Sequence, residues 1–273
     1  MSQLRFTKMQ GAGNDFVVFD NRTHRYTLEE IIVFSSILCD RKYGIGADGI
    51  MALQPPERPD VDFTMLYRNA DGSDAGMCGN GARCLSIYAH SLGLPDSLRF
   101  NVHHNVYKAI VAHNQASIHF PVTVSPKELT INGVSCIKAD TATEHLVFFV
   151  PSDQLQQEEQ LIRDGRALRE DPSQQPKGTN VNFVHQDGTS RIELQTYERG
   201  VENLTLACGT GALASAIATH QAQGGKAGTY SYTVIVKGGQ LGVDFTLDPE
   251  TKTYHELVLT GPAEFVFEGS IEI

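Results

Sequence analysis

Two cysteines offer most of the chemistry in this chain, and they sit in two versions of one motif. The first block reads Met77-Cys78-Gly79-Asn80-Gly81-Ala82-Arg83-Cys84, and the second Ala207-Cys208-Gly209-Thr210-Gly211-Ala212-Leu213-Ala214. Both follow Cys-Gly-x-Gly-Ala and open a helix-like run of small and apolar residues. Tyr67 and Tyr197 each lie eleven residues before their cysteine, so both blocks repeat at one offset of 130 residues. That period is too long for a solenoid and fits a duplication into two similar halves. A helix N-terminus leaves backbone N–H groups without partners and carries about half a positive charge. Glycines beside it admit a ligand close to the backbone, and a carboxylate there gains hydrogen bonds and a favourable dipole. The same field lowers the pKa of a neighbouring thiol and raises its thiolate fraction. Two such ends together would grip one small anion with a thiol on each side. The competing reading is two buried cysteines in Gly/Ala-rich helices. A single motif would favour it; the matched pair favours chemistry.

The elements that must position these helices are mostly strands. Residues 4–9 and 16–20 read as strands about the turn Gly11-Ala12-Gly13-Asn14-Asp15, whose Gly-x-Gly precedes a strand and so lacks the context of a nucleotide loop. Thr27 and Glu30 form a capping box for a helix to about Cys39. The loop Tyr43-Gly44-Ile45-Gly46-Ala47-Asp48-Gly49 leads into an apolar run, and Pro55 to Pro59 form a loop before the strand Val61 to Tyr67. The first cysteine helix ends near Gly93. From Leu98 to about Val124 the pattern is strand-like. Leu146 to Val150 is a buried strand, and 151–176 is a solvated helix and loop. Strands return at 181–185 and 190–197, and after the second cysteine helix, ending near Gly224-Gly225, they run to the C-terminus. The architecture is α+β: two pseudo-symmetric domains, each a curved sheet wrapped on a central helix, with the boundary near residue 120.

At 273 residues, with 41% hydrophobic and 20% charged residues, the chain suits about two globular domains. A net charge of −10 argues against nucleic acid or anionic membrane as a partner. Nothing approaches the length of a spanning helix, and Met1-Ser2-Gln3-Leu4-Arg5-Phe6-Thr7-Lys8 has no signal-peptide core. Five cysteines, an odd number in a chain of this size, read as reduced thiols in the cytoplasm. His103-His104 has no third ligand at a recognisable spacing, and Cys78 with Cys84 lacks the C-x2-C spacing, so no metal is expected.

Taken together, these residues resemble the diaminopimelate epimerase family, cofactor-independent amino-acid racemases. The likeness runs through Gly13-Asn14-Asp15-Phe16, the Gly44 to Gly49 loop, Asn69-Ala70-Asp71-Gly72-Ser73, the Cys78 block, Asn180, Tyr197-Glu198-Arg199-Gly200 and the Cys208 block. It implies an active site in a cleft between halves 1–120 and 121–261, with residues 262–273 returning to the first, and a homodimer. It further implies a two-base reaction without pyridoxal phosphate. One cysteine thiolate removes the α-proton and the other, as a thiol, protonates the opposite face. Donors at Gly79-Asn80 and Gly209-Thr210 would stabilise the charge on the α-carboxylate.

By position, the resemblance assigns Asn14 to the reacting amino group and Asn69 and Asn180 to the distal end of the substrate. Arg199 would fork a distal carboxylate, with Glu198 beside Cys208 and His145 beside Cys78 tuning the thiols. Where the family usually has Asn-Pro, Thr143-Glu144 precede His145, shortening or losing one hydrogen bond and bringing a charge near the cleft. Some members carry glutamine where this chain has Gly49, and His103-His104-Asn105-Val106 also departs. These differences bear on substrate rather than reaction type. The leading expectation is interconversion of LL- and meso-diaminopimelate in lysine and cell-wall synthesis. A histidine- or hydroxyproline-type racemase, or a non-catalytic amino-acid binding protein, are the alternatives.

Overall fold

The computed structural model describes residues 3–273; Met1 and Ser2, which open the stretch read as lacking a signal-peptide core, lie outside it. The chain divides into two compact units, one of residues up to His119 together with Thr260–Ile273, the other Phe120–Leu259. Among the described residues no helix is long and apolar enough to cross a membrane.

In the first unit the strands are β1 (Gln3–Gly11), β2 (Asn14–Asp20), β3 (Gly49–Gln54), β4 (Phe63–Asn69), β5 (Ser97–Val102), β6 (Asn105–Ala112) and β7 (Gln115–Phe120). Successive neighbours pair antiparallel, parallel, antiparallel, parallel, antiparallel and antiparallel. The apolar run Phe16-Val17-Val18-Phe19 of β2 is wholly buried, as suits a strand covered on both faces. Strand β6 alternates, with Tyr107, Ala109 and Val111 inward and Lys108 and Ile110 outward, so only one of its faces is covered. Register across β4, β5 and β6 is marked by the ladder Phe63–Phe100–Tyr107, with ring centroids 5.3 and 5.5 Å apart. Helices α1 (Asn21–His24) and α2 (Leu28–Leu38) follow β2. The second begins with the expected capping box, Thr27 and Glu30 each bonding the other's backbone N–H.

Helix α3 (Gly79–Ser91) touches β1, β2, β3, β4 and β6, so the sheet curls round it. Gly79 through Ala89 are buried, which its small and apolar residues permit. The long strand-like stretch is a meander, because His103 and His113 take left-handed backbone, φ 49° and 55°, and turn the chain twice. His103-His104 is thus a hairpin turn, with His103 Nε2 3.3 Å from Asp74 Oδ2.

The second unit repeats this order. Strands β8 (Lys127–Ile131), β9 (Val134–Asp140), β10 (Glu144–Phe149), β11 (Asn180–Gln186), β12 (Arg191–Glu198), β13 (Asn203–Thr205), β14 (Gly228–Val236) and β15 (Gly239–Leu247) follow in sequence. From β9 the ladder runs antiparallel to β10, parallel to β11, antiparallel to β12, parallel to β14 and antiparallel to β15. The ladder from β1 to β6 has the same alternation. The predicted solvated segment contains α4 (Ser152–Leu155), α5 (Glu158–Arg169) and a 3-10 turn, Pro172–Gln174. The central helix is α6 (Gly209–Ala222), with Gly209 through His220 buried and in contact with β9, β10, β11, β12, β14 and β15. Fully buried Leu213 and Ile217 contribute about 1.5–3 kcal/mol each by leaving water. The chain returns along β16 (Tyr254–Pro262) to β17 (Glu264–Glu272), which pairs antiparallel with β1.

Candidate active site

Each cysteine is the N-cap of its unit's central helix, and the two backbones agree closely, with φ −119°, ψ 115° at Cys78 and φ −116°, ψ 110° at Cys208. The second glycine of each motif makes this entry possible. A Cβ at Gly81 would stand 1.7 Å from Met51 Cε, and one at Gly211 would stand 2.6 Å from Asn182 Oδ1. A side chain at Gly211 would displace the buried Asn182 amide, and one at Gly81 would force the Met51 side chain aside.

In the first unit Cys78 Sγ accepts from Gly81 N–H at 3.4 Å and lies 3.7 Å from Asn14 Oδ1, which also accepts from Asn80 Nδ2 at 3.4 Å. Asn14 is held by its Nδ2, which donates to Asp48 Oδ2 at 2.6 Å. Arg41 bridges Asp48 and Asp15, and Lys8 pairs with Asp15 at 2.7 Å. Against the upward pull of burial, hydrogen bonds from Arg41 and Lys8 hold the Asp15 carboxyl at about 2. This is the role of the Gly-rich loop: it brings Asp48 under Asn14. Arg83, fully buried on α3, orients Asn80 by donating to its Oδ1 at 2.9 Å and reaches Gly79 O and Pro262 O. Asn69 Nδ2 donates to Ser73 Oγ at 3.0 Å. Gly49 has no room for a side chain, since a Cβ would meet Arg68 O at 2.4 Å and the Tyr67 ring at 2.6 Å.

In the second unit Cys208 Sγ lies 3.7 Å from Thr210 Oγ1. Thr210 is tied by its carbonyl to Thr141 Oγ1 at 2.8 Å and by its hydroxyl to Thr143 Oγ1 and His145 Nε2, each at 3.0 Å. His145 is fully buried. Desolvation, aided by the Arg199 charge, pushes its pKa down to about 3, so the ring is neutral at pH 7. Its Nδ1 meets Asn182 Nδ2 at 3.0 Å. Both ring nitrogens of His145 are engaged inside the second unit, along a path to Cys208. Thr143 is committed to the same network.

Glu198 accepts from Thr205 Oγ1 at 2.9 Å. Asn180 Oδ1 accepts from Arg199 N–H at 2.9 Å, and its Nδ2 donates to Glu144 O at 3.2 Å. Arg199 Nη1 pairs with Glu144 Oε2 at 3.4 Å and donates to Lys177 O and Gly178 O. Glu144 also pairs with Lys177 at 3.5 Å. Burial pulls its pKa up, but backbone hydrogen bonding and these two cations bring it below the usual value. Sequence reasoning missed Arg83, Thr141, Asn182 and Thr196. Arg83 alone had a signal, a cation amid small and apolar helix residues.

The fold matches that of solved structures. A phenazine biosynthesis protein of the PhzF family from Bacillus anthracis superposes with a TM-score of 0.77 at 12% identity, covering 100% of both chains. A hydroxyproline epimerase from Agrobacterium vitis gives 0.73 at 14% identity, covering 98% of this chain and 92% of its own. The class is therefore the sheet-wrapped-helix fold that these two proteins share. Sequence narrows it further. The diaminopimelate epimerase family model matches residues 6–119 and 137–266. Diaminopimelate epimerases of Flavobacterium psychrophilum and Aquifex aeolicus are 36% and 38% identical over 98% of this chain and 100% and 98% of theirs. The chain belongs to the diaminopimelate epimerase family and is an isomerase.

Proposed function

We propose that the protein interconverts LL- and meso-diaminopimelate by moving the α-proton between two thiols, with Cys78 and Cys208 acting on opposite faces of the α-carbon. The observation that carries this is the pair of N-cap cysteines of matching backbone conformation, each on the buried helix of its unit. Two like groups let the reaction run both ways. The N–H groups at Gly79-Asn80 and Gly209-Thr210 stabilise charge developing on the α-carboxylate. Asn14 takes the reacting amino group, its amide oxygen facing Cys78; Asn69, Asn180, Glu198 and Arg199 take the rest of the substrate. The reaction needs no pyridoxal phosphate or metal, and its setting is lysine and peptidoglycan precursor synthesis in the cytoplasm.

The protein acts as a homodimer, supported by three consecutive exposed apolar residues on β17, Phe265, Val266 and Phe267. The test of function is α-deuteration in heavy water of single-enantiomer amino acids, by chelator-treated protein without added cofactor. Exchange into LL-diaminopimelate is expected; no exchange, or exchange only on restoring a metal, refutes the reading. One observation favours a second substrate class: Glu144 already pairs with Arg199, as suits an amino acid with no distal carboxylate. The same panel separates the two.

A further inference from the structure

The hydrogen bonds around His145 can be assigned proton by proton. Leu146 O only accepts, so the Asn182 atom 3.0 Å from it is the amide nitrogen, and Thr196 Oγ1 donates to Asn182 Oδ1 at 2.9 Å. The other Asn182 N–H points at His145 Nδ1. A neutral imidazole that accepts at Nδ1 carries its proton on Nε2. Nε2–H therefore donates to Thr143 Oγ1 and Thr210 Oγ1, at 2.9 and 3.0 Å, and the Thr143 hydroxyl also donates to Thr210 Oγ1. With the Thr210 oxygen receiving both, its own hydrogen is directed at the Cys208 sulfur 3.7 Å away.

We propose that Asn182 and Thr196 are positioning residues for Cys208: they hold His145 as the Nε2–H tautomer, which turns the Thr210 hydroxyl onto the Cys208 sulfur and stabilises its thiolate. This rests on the reading of Cys208 as a proton-transferring thiol. Because burial keeps the ring neutral, its tautomer is the variable that Asn182 controls. The relay carries no net charge, so it stabilises a thiolate without placing a second ion in the interior.

Other charged and titratable groups stand on the elements packed against α6. On β9, Lys138 bonds Gln174 and Asp140 is exposed. On β10, Glu144 pairs with Lys177 and Arg199. On β11, His185 meets Val150 O. On β12, Arg191 pairs with Asp187, Glu198 accepts from Thr205, the Tyr197 hydroxyl turns to Glu202, and Glu193 sits near the start of the strand. On β15, Asp244 accepts from Ser231. Tyr230 and Tyr232 of β14 lie with His220 and Phe245 toward the far end of α6.

Nitrogen-15 NMR of the substrate-free protein reads the tautomer directly. A protonated Nε2 and bare Nδ1 at neutral pH are expected; the reverse tautomer or an imidazolium overturns the proposal. The thiolate is then followed by ultraviolet absorbance in Cys78→Ser protein from about pH 5 to about pH 9. Burial pushes Cys39 and Cys84 up to about 12 and raises Cys136, so Cys208 supplies the signal. Thr210→Val should raise its midpoint by about one to two units, the worth of a hydrogen bond to a charged group, and Thr210→Ser should restore it. Asn182→Ala should raise it too, with Thr196→Val as the second variant should that protein not fold. With Cys78 present, these variants should lower kcat more than they change KM. Midpoints unmoved by both Thr210→Val and the Asn182 or Thr196 change refute the relay. The tautomer and thiolate measurements involve no substrate, so failure of the relay is distinct from failure of the epimerase reading.

Discussion

Replacing His145 by glutamine should make the protein less sensitive to acid. In the folded chain burial, helped by the Arg199 charge and opposed by Glu144, pushes the His145 pKa down to about 3 from an ordinary 6.5. The unfolded chain thus binds more protons at this site, and stability rises with pH where the two states differ. The contribution is fully present above about pH 6.5 and is lost progressively as pH falls from there toward about 3. Each unit in that window costs about 1.4 kcal/mol. At about pH 4.5, two units below the unfolded value, the native state is disfavoured by about 3 kcal/mol. The change itself costs stability at every pH by disturbing the Thr210 and Asn182 contacts, so the comparison is between pH values within each protein. Urea unfolding at pH 7 and at about pH 4.5 should show a loss larger in the native protein than in His145→Gln by about 3 kcal/mol. His220, whose pKa burial also lowers, is present in both and cancels. Equal losses would refute the claim that His145 stays neutral when folded.

Cys78→Ser and Cys208→Ser should each abolish epimerisation while leaving urea midpoints near those of the native protein; full activity in either refutes the two-thiol mechanism. Arg199→Ala should lower kcat/KM on LL-diaminopimelate by at least about two decades, as for a charge left without its partner. Glu144→Gln should release Arg199 from a partly exposed pair worth about 0.5–1 kcal/mol and lower KM by about two- to fivefold; a rise in KM would argue for a substrate without a distal carboxylate. Phe267→Arg should shift sedimentation from dimer to monomer; an unchanged dimer places the interface elsewhere.

Legibility in the sequence followed how local each signal was. The capping box of α2 was readable because Thr27 and Glu30 satisfy one another within a single turn. Strands β8 and β9 were not read, since β8 is largely exposed and the apolar residues of β9 are few and do not alternate. Asn132-Gly133, both left-handed at φ 52° and 80°, is the hairpin signal that would have found them. His103-His104 invited a metal reading and is a turn. Thr143 looked like a lost substrate contact, and Asn182 like any inward strand residue.

By itself the sequence determined the duplicated motif, the cysteine at each helix start and the glycines behind it. These follow from capping, chirality and close approach over a few residues. Only tertiary structure decided which polar groups surround each sulfur. Asn14 reaches Cys78 because Asp48, 34 residues on, holds its amide. Thr210 turns to Cys208 because His145 and Asn182 arrive on β10 and β11 from 65 and 28 residues upstream. A hydrogen bond's direction depends on every other proton in its network. That network closes only when distant strands are brought into register around one helix.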